Sequence, residues 1–173
     1  MPAPPGAGKS TLCAALVNRE WRLLSDELAL IDKADNALVP LCRPVSLKNE
    51  SIHVIRKFEP GAVLSREVYD TTKGTVAHMK APTDSVAQSH VTARPSWIVF
   101  PKYQPGAATR LEPQPKARAF MRMVESAFNY SLLGPQGFQM MANLIDACDC
   151  YEFTYSNLDE AVAFFADLKL PAS

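Results

Sequence analysis

Ala3-Pro4-Pro5-Gly6-Ala7-Gly8-Lys9-Ser10 decides the reading of this chain. The run fits the phosphate-binding loop pattern, with Ala3 where the first glycine usually stands. Gly6 and Gly8 allow successive backbone N–H groups to turn inward around phosphate oxygens. A helix that follows the loop presents its positive N-terminal end to the same anion. Thr11-Leu12-Cys13-Ala14-Ala15-Leu16 supplies that helix, expected over Ser10 to Arg19 with Leu12, Ala15 and Leu16 at helical spacing. The nucleotide contacts expected here are Gly6, Ala7, Gly8, Lys9, Ser10 and Thr11. Lys9 bridges the β- and γ-phosphates, and the Ser10 hydroxyl reaches Mg²⁺, a hard cation that takes few protein ligands. Only Met1 and Pro2 stand ahead of the pattern. The strand that ordinarily leads into such a loop is therefore expected to be missing, as from a truncated chain or a start codon assigned too late.

Immediately downstream, Trp21-Arg22-Leu23-Leu24 reads as a strand, and Ser25-Asp26-Glu27 follows it. Ligands of open α/β sheets sit beyond the carboxyl ends of strands, so Asp26 and Glu27 are placed to face phosphates held by the first loop. Adjacent acids can divide the work, one accepting the proton of an attacking hydroxyl and the other holding Mg²⁺. An exposed acidic turn is the alternative for such a pair.

Farther out, 14 prolines punctuate the chain. Leu28 to Arg66 is expected to hold short strands with irregular links, including a turn at Lys33-Ala34-Asp35-Asn36. Gly74–Met79 and Trp97–Phe100 read as strands, and the polar stretch from Pro82 to Arg94 as a loop. From Pro115 onward the pattern turns helical. Phe120, Met123, Val124, Ala127 and Phe128 share one face, and a second helix after Gly134-Pro135 carries Phe138, Met141, Ala142 and Ile145. Tyr151, Phe153 and Tyr155 alternate as a strand. Asn157 with Glu160 then resembles a capping box for a helix carrying Leu158, Ala161, Val162, Phe165 and Leu168. The fold class is α/β, a mixed β-sheet with flanking helices.

At 173 residues the chain is the size of one domain, taken over residues 1–173. With 18 Lys/Arg against 18 Asp/Glu it has no basic field of the kind that favours nucleic acid or an anionic membrane. No apolar run approaches the roughly 20 residues of a membrane span, and the N-terminus lacks a signal-peptide core. A cytoplasmic location and four free thiols, Cys13, Cys42, Cys148 and Cys150, are expected. His53, His78 and His90 show no metal spacing, and only His78, beside an inferred strand, is a candidate for a site. Lys116, Arg118 and Arg122 at a helix start read as solvated charges rather than as a phosphoryl clamp.

Pro4 to Leu12, together with Trp21 to Glu27, resembles the core of HPr kinase/phosphorylase relatives, in particular the HPr-kinase-related kinase A group. Pro44-Val45-Ser46-Leu47-Lys48-Asn49, Gly74-Thr75-Val76-Ala77-His78, and Ser126-Ala127-Phe128-Asn129-Tyr130 with Gly134 and Gly137-Phe138 extend the resemblance over nearly the whole chain. It implies a phosphoenolpyruvate-carboxykinase-like P-loop fold, ATP and Mg²⁺ as cofactors, and transfer of the γ-phosphoryl group to a serine-like hydroxyl on a protein or small molecule. It also implies a homo-oligomer. Carried over by residue, Lys9 and Ser10 contact phosphate and Mg²⁺, Asp26 is the acid/base, Glu27 replaces a second Asp, and Glu50 stands in for a metal-associated Glu. The family's Glu-x-Arg-Gly-x-Gly signature is absent, and its late Arg-rich loop is reduced to Pro113–Arg118, so the reverse dephosphorylation is not carried over. Two other readings compete: a catalytically silent nucleotide-binding regulatory module, and a P-loop NTPase using water as acceptor.

Overall fold

Helix α1 (Lys9–Val17) leaves the glycine-rich loop with Leu12 through Val17 all buried. A helix apolar on every side belongs in the interior. In the computed structural model, which describes residues 1–168, α1 packs against strand β3 (Val45–Lys48), helix α2 (Glu50–Phe58) and helix α7 (Leu158–Ala166). The architecture is mixed α/β, with three small sheets and seven helices among the described residues.

The first sheet is a hairpin of β1 (Leu30–Ile31) and β2 (Leu38–Val39). Its turn is built as the residues at 33–36 suggest: Asp32 and Asp35 carboxylates accept backbone N–H bonds two residues on, and Asn36 takes the left-handed conformation. The second sheet is antiparallel, with β5 (Gly74–Met79) between β3 and β4 (Val68–Thr71). The third has β8 (Asp149–Tyr155) at its centre, parallel to β6 (Trp97–Tyr103) and antiparallel to β7 (Arg110–Pro113).

The third sheet divides the interior. Val99, Phe153 and Tyr155 join α1, α2, α7 and the second sheet in one core. Ile98, Phe100 and Cys150 join a second core made by α4 (Lys116–Ser126) and α6 (Pro135–Ala147), through Ala119, Met141, Leu144, Ile145 and Cys148. Alternate residues of a strand face opposite sides, so the two-residue period of β6 serves both cores.

Several expectations require correction. Trp21–Leu24 is not a strand: the Leu23 N–H donates to the Ser85 hydroxyl and the Leu24 carbonyl accepts from Leu41, single bonds in place of a ladder. The stretch from Leu28 to Arg66 contains α2, which sets Ile52 and Ile55 into the core one helical turn apart. The Pro82–Arg94 segment contains the short helix α3 (Thr83–Ala87). Phe128 lies beyond the end of α4 and is 86% exposed, so it does not belong to that helix's apolar face. Between α4 and α6 stands a further short helix, α5 (Tyr130–Leu133). Helix α7 ends at Ala166, leaving Leu168 packed on the core from just beyond it. The sheet structure is three separate sheets, of which the third alone is mixed. All four cysteines are free thiols. No helix among the described residues is long and apolar enough to cross a membrane.

Candidate functional site

Gly6 and Gly8 have φ of 84° and 85°, the left-handed region that side chains rarely adopt. At Gly8 space is limiting as well: an added Cβ would overlap the Tyr155 hydroxyl and come within 2.9 Å of Tyr103 Cβ. The loop is strapped to the ends of the parallel strands. The Tyr103 N–H donates to the Ala7 carbonyl at 3.0 Å, and the Tyr155 hydroxyl donates to the Gly8 carbonyl at 2.9 Å. Burial, with Tyr103 adding to it, holds the Tyr155 phenol well above its usual range, so this oxygen keeps its proton. Tyr103 and Tyr155 are the last residues of β6 and β8. The loop therefore lies beyond the carboxyl ends of a parallel strand pair and at the N-terminus of a nine-residue helix, a position suited to a phosphate by backbone geometry and by the helix dipole.

Lys9 reaches Asp26. Its ammonium donates to the Asp26 backbone carbonyl and to Oδ1, the latter at 3.0 Å. The other carboxylate oxygen, Oδ2, accepts from the Ser46 N–H at 3.3 Å, so the acid is held by β3 as well as by the loop lysine. Asp26 is 7% exposed at its side chain and Lys9 24%. Two charges drawn out of water in this way are costly to separate unless a new partner arrives. A shared turn orders the segment: the Ser25 hydroxyl accepts from the Leu28 N–H at 3.1 Å. Glu27, next in sequence, is exposed. Behind the loop, burial first and Asp26 second push the Cys13 thiol up to about 12, so it is a packing group rather than a nucleophile.

On the other side of Asp26 lies a cavity of about 560 Å³. Its wall follows from strand alternation. Val45 and Leu47 of β3 and Ala77 and Met79 of β5 point into the core, which leaves Ser46, Lys48, Val76 and His78 on the opposite face. Register agrees, since Ser46 pairs with His78, and Lys48 with Val76. Those four residues line the cavity together with Asp26 and Glu27, and Arg43 and Lys73 complete its charged lining. His78, singled out from its place beside an inferred strand, is thus in the same cavity as Asp26. No motif marks Arg43, Lys48 or Lys73; the alternation Val45-Ser46-Leu47-Lys48 is the one signal in the sequence that points to this face.

Other candidates lie elsewhere. Glu50 is exposed on the first turn of α2, and of Ser10, Glu27 and Glu50 only Glu27 lines the cavity. Among the described residues no group of three or more His, Cys, Asp or Glu is arranged to hold a metal. Mg²⁺ needs fewer protein ligands than that, and Ser10 at the start of α1 and Asp26 beside Lys9 are oxygen donors next to the loop. Arg122 is bound to Glu152 at 3.0 Å and stacked 3.9 Å from the Phe100 ring centre, and Lys116 donates to the Asp146 carbonyl. They secure α4 to its surroundings.

No family model, curated protein or solved structure matches the chain.

Proposed function

We propose that the protein is an ATP- and Mg²⁺-dependent kinase that transfers the γ-phosphoryl group to a serine-like hydroxyl, on a P-loop fold of the phosphoenolpyruvate-carboxykinase kind. The observation that carries this reading is the ion pair between Lys9 of the glycine-rich loop and Asp26, with the loop at the carboxyl ends of β6 and β8.

Bound ATP and Mg²⁺ supply an activated phosphoryl group and a counter-charge for it. The chain supplies position and electrostatics, which account for most of the catalysis in phosphoryl transfer. The loop amides and the N-terminus of α1 take the phosphate oxygens. Lys9 would turn from Asp26 to the β- and γ-phosphates, and the Ser10 hydroxyl would be a ligand for the cation. Released from Lys9, the Asp26 carboxylate is free to accept the acceptor's proton while the Ser46 N–H keeps it in place.

The test is calorimetric titration of the chain with a non-hydrolysable ATP analogue, with and without Mg²⁺, beside Lys9→Ala, followed by transfer assays from labelled ATP. Saturable binding that requires Lys9, with label passed to a hydroxyl acceptor, is the expected result. Binding without turnover would make the protein a silent nucleotide-binding module. Phosphate release without an acceptor would make it an NTPase. Absence of binding by folded protein would overturn all three.

A further inference from the structure

The kinase reading leaves the acceptor unnamed, and the cavity beside Asp26 narrows it. Arg43, Lys48 and Lys73 line this cavity, and none of them has an ion-pair partner among the described residues. The two acids there do not balance them, because Asp26 is already matched by Lys9. Unpaired cations gathered in a concave site attract an anion, since low-dielectric walls concentrate their field. About 560 Å³ lies within the range of small-molecule sites, roughly 300–1,000 Å³. Ser46 and His78 add hydrogen-bonding groups from the sheet face.

We infer that this cavity is the acceptor site and that it takes a small hydroxyl compound bearing a phosphate or carboxylate group. The inference rests on the kinase reading only for the transfer step. Arg43, Lys48 and Lys73 hold the anionic end, with arginine able to bind it in two-pronged fashion. The hydroxyl end then points toward Asp26, on the boundary between cavity and loop. In the step itself the acceptor oxygen forms a bond to the γ-phosphorus of ATP. The bond from that phosphorus to the β,γ-bridging oxygen breaks, its electron pair leaves with ADP, and the hydroxyl proton passes to the Asp26 carboxylate.

The experiment titrates the full chain with glycerol 3-phosphate, glycerate and glycerol, each with and without the ATP analogue and Mg²⁺, in wild type and in a Lys48→Ala/Lys73→Ala variant. Both lysines are exposed, so the variant retains the fold, checked by circular dichroism. Glycerol 3-phosphate or glycerate is expected to bind saturably and glycerol not, which also separates phosphate from carboxylate. The double variant should weaken anion binding at least tenfold while leaving analogue affinity unchanged. Equal binding of glycerol, or full anion binding by the variant, would overturn the proposal. So would displacement of the anion by the analogue, which would assign the cavity to the nucleotide, or tenfold tighter, lysine-dependent binding of an acidic serine peptide, which would assign it to a protein acceptor. Lysine-dependent anion binding with no transfer from ATP would uphold the anion site and overturn the kinase reading alone.

Discussion

The Lys9 ammonium lies 3.0 Å from Oδ1 of Asp26, joining the glycine-rich loop to an acidic turn 17 residues downstream. In the proposed transfer Lys9 turns to the phosphates and Asp26 to the acceptor proton, so that reaction requires the pair to open. Asp26→Asn removes the counter-charge but keeps the shape. It should leave analogue affinity equal or tighter while lowering phosphoryl transfer by about 10²–10⁴, the usual contribution of a positioned acid or base. Calorimetry beside a labelled-ATP assay reads both quantities. Wild-type transfer by the variant would remove Asp26 from the mechanism.

Gly8 and Gly6 share a left-handed backbone but not a neighbourhood. A methyl group at Gly6 meets nothing within 4 Å, whereas at Gly8 it meets Tyr155 and Tyr103. Gly6→Ala should therefore cost about 1 kcal/mol of backbone strain, and Gly8→Ala about 2–3 kcal/mol because the strap must shift as well. Urea denaturation of the two variants measures the difference. Equal losses would mean that the tyrosine contacts do not constrain the loop.

The sequence made legible those parts where one periodicity dominates. Met141 and Ile145 on α6, the alternation of Phe153 and Tyr155 on β8, and the Lys33 to Asn36 turn all lie where local pattern places them. Helix α2 did not, because Ser51-Ile52-His53-Val54-Ile55 is rich in β-branched residues and only Ile52 and Ile55 are fully buried. Trp21–Leu24 misled in the opposite direction. Its apolar run suits a strand, yet its backbone groups are met by Ser85 and Leu41, residues far along the chain that no local pattern reveals. For the site, loop and acid pair were readable as motifs, while the cationic lining of the cavity was not. Arg43 flanks β3 and Lys48 ends it, Lys73 sits in the turn between β4 and β5, and the pairing of β3 with β5 brings the two segments together.

Asn157 caps α7, its side-chain oxygen accepting from the N–H groups of Asp159 at 2.8 Å and Glu160 at 3.2 Å. The cap fixes the helix whose Phe165 packs edge-on against Phe153 of β8, 4.8 Å between ring centres. Asn157→Ala should cost about 1 kcal/mol, a fall in Tm of about 2–4 °C for a chain of this size. Asn157→Asp, which keeps the acceptor and adds charge favoured at a helix start, should restore it. Thermal unfolding followed by circular dichroism decides the point.

Two buried thiols make stability fall in alkali. Burial pushes Cys13 up to about 12 and Cys148 up to about 11, from an ordinary value of 9.0. Above pH 9 the unfolded chain loses these protons while the folded chain retains them, so the unfolded state binds fewer protons and unfolding becomes easier as pH rises. Their contribution is complete below pH 9. It is lost through the windows 9 to 11 for Cys148 and 9 to 12 for Cys13, at about 1.4 kcal/mol per pH unit for each thiol. Urea midpoints should thus be flat from pH 7 to 8.5 on this account and decline above 9. Cys13→Ala, which leaves a small apolar side chain beside Ala14, should lower stability at neutral pH but decline less steeply in alkali. Parallel declines in the variant and the wild type would show that Cys13 is not a source of the alkaline loss.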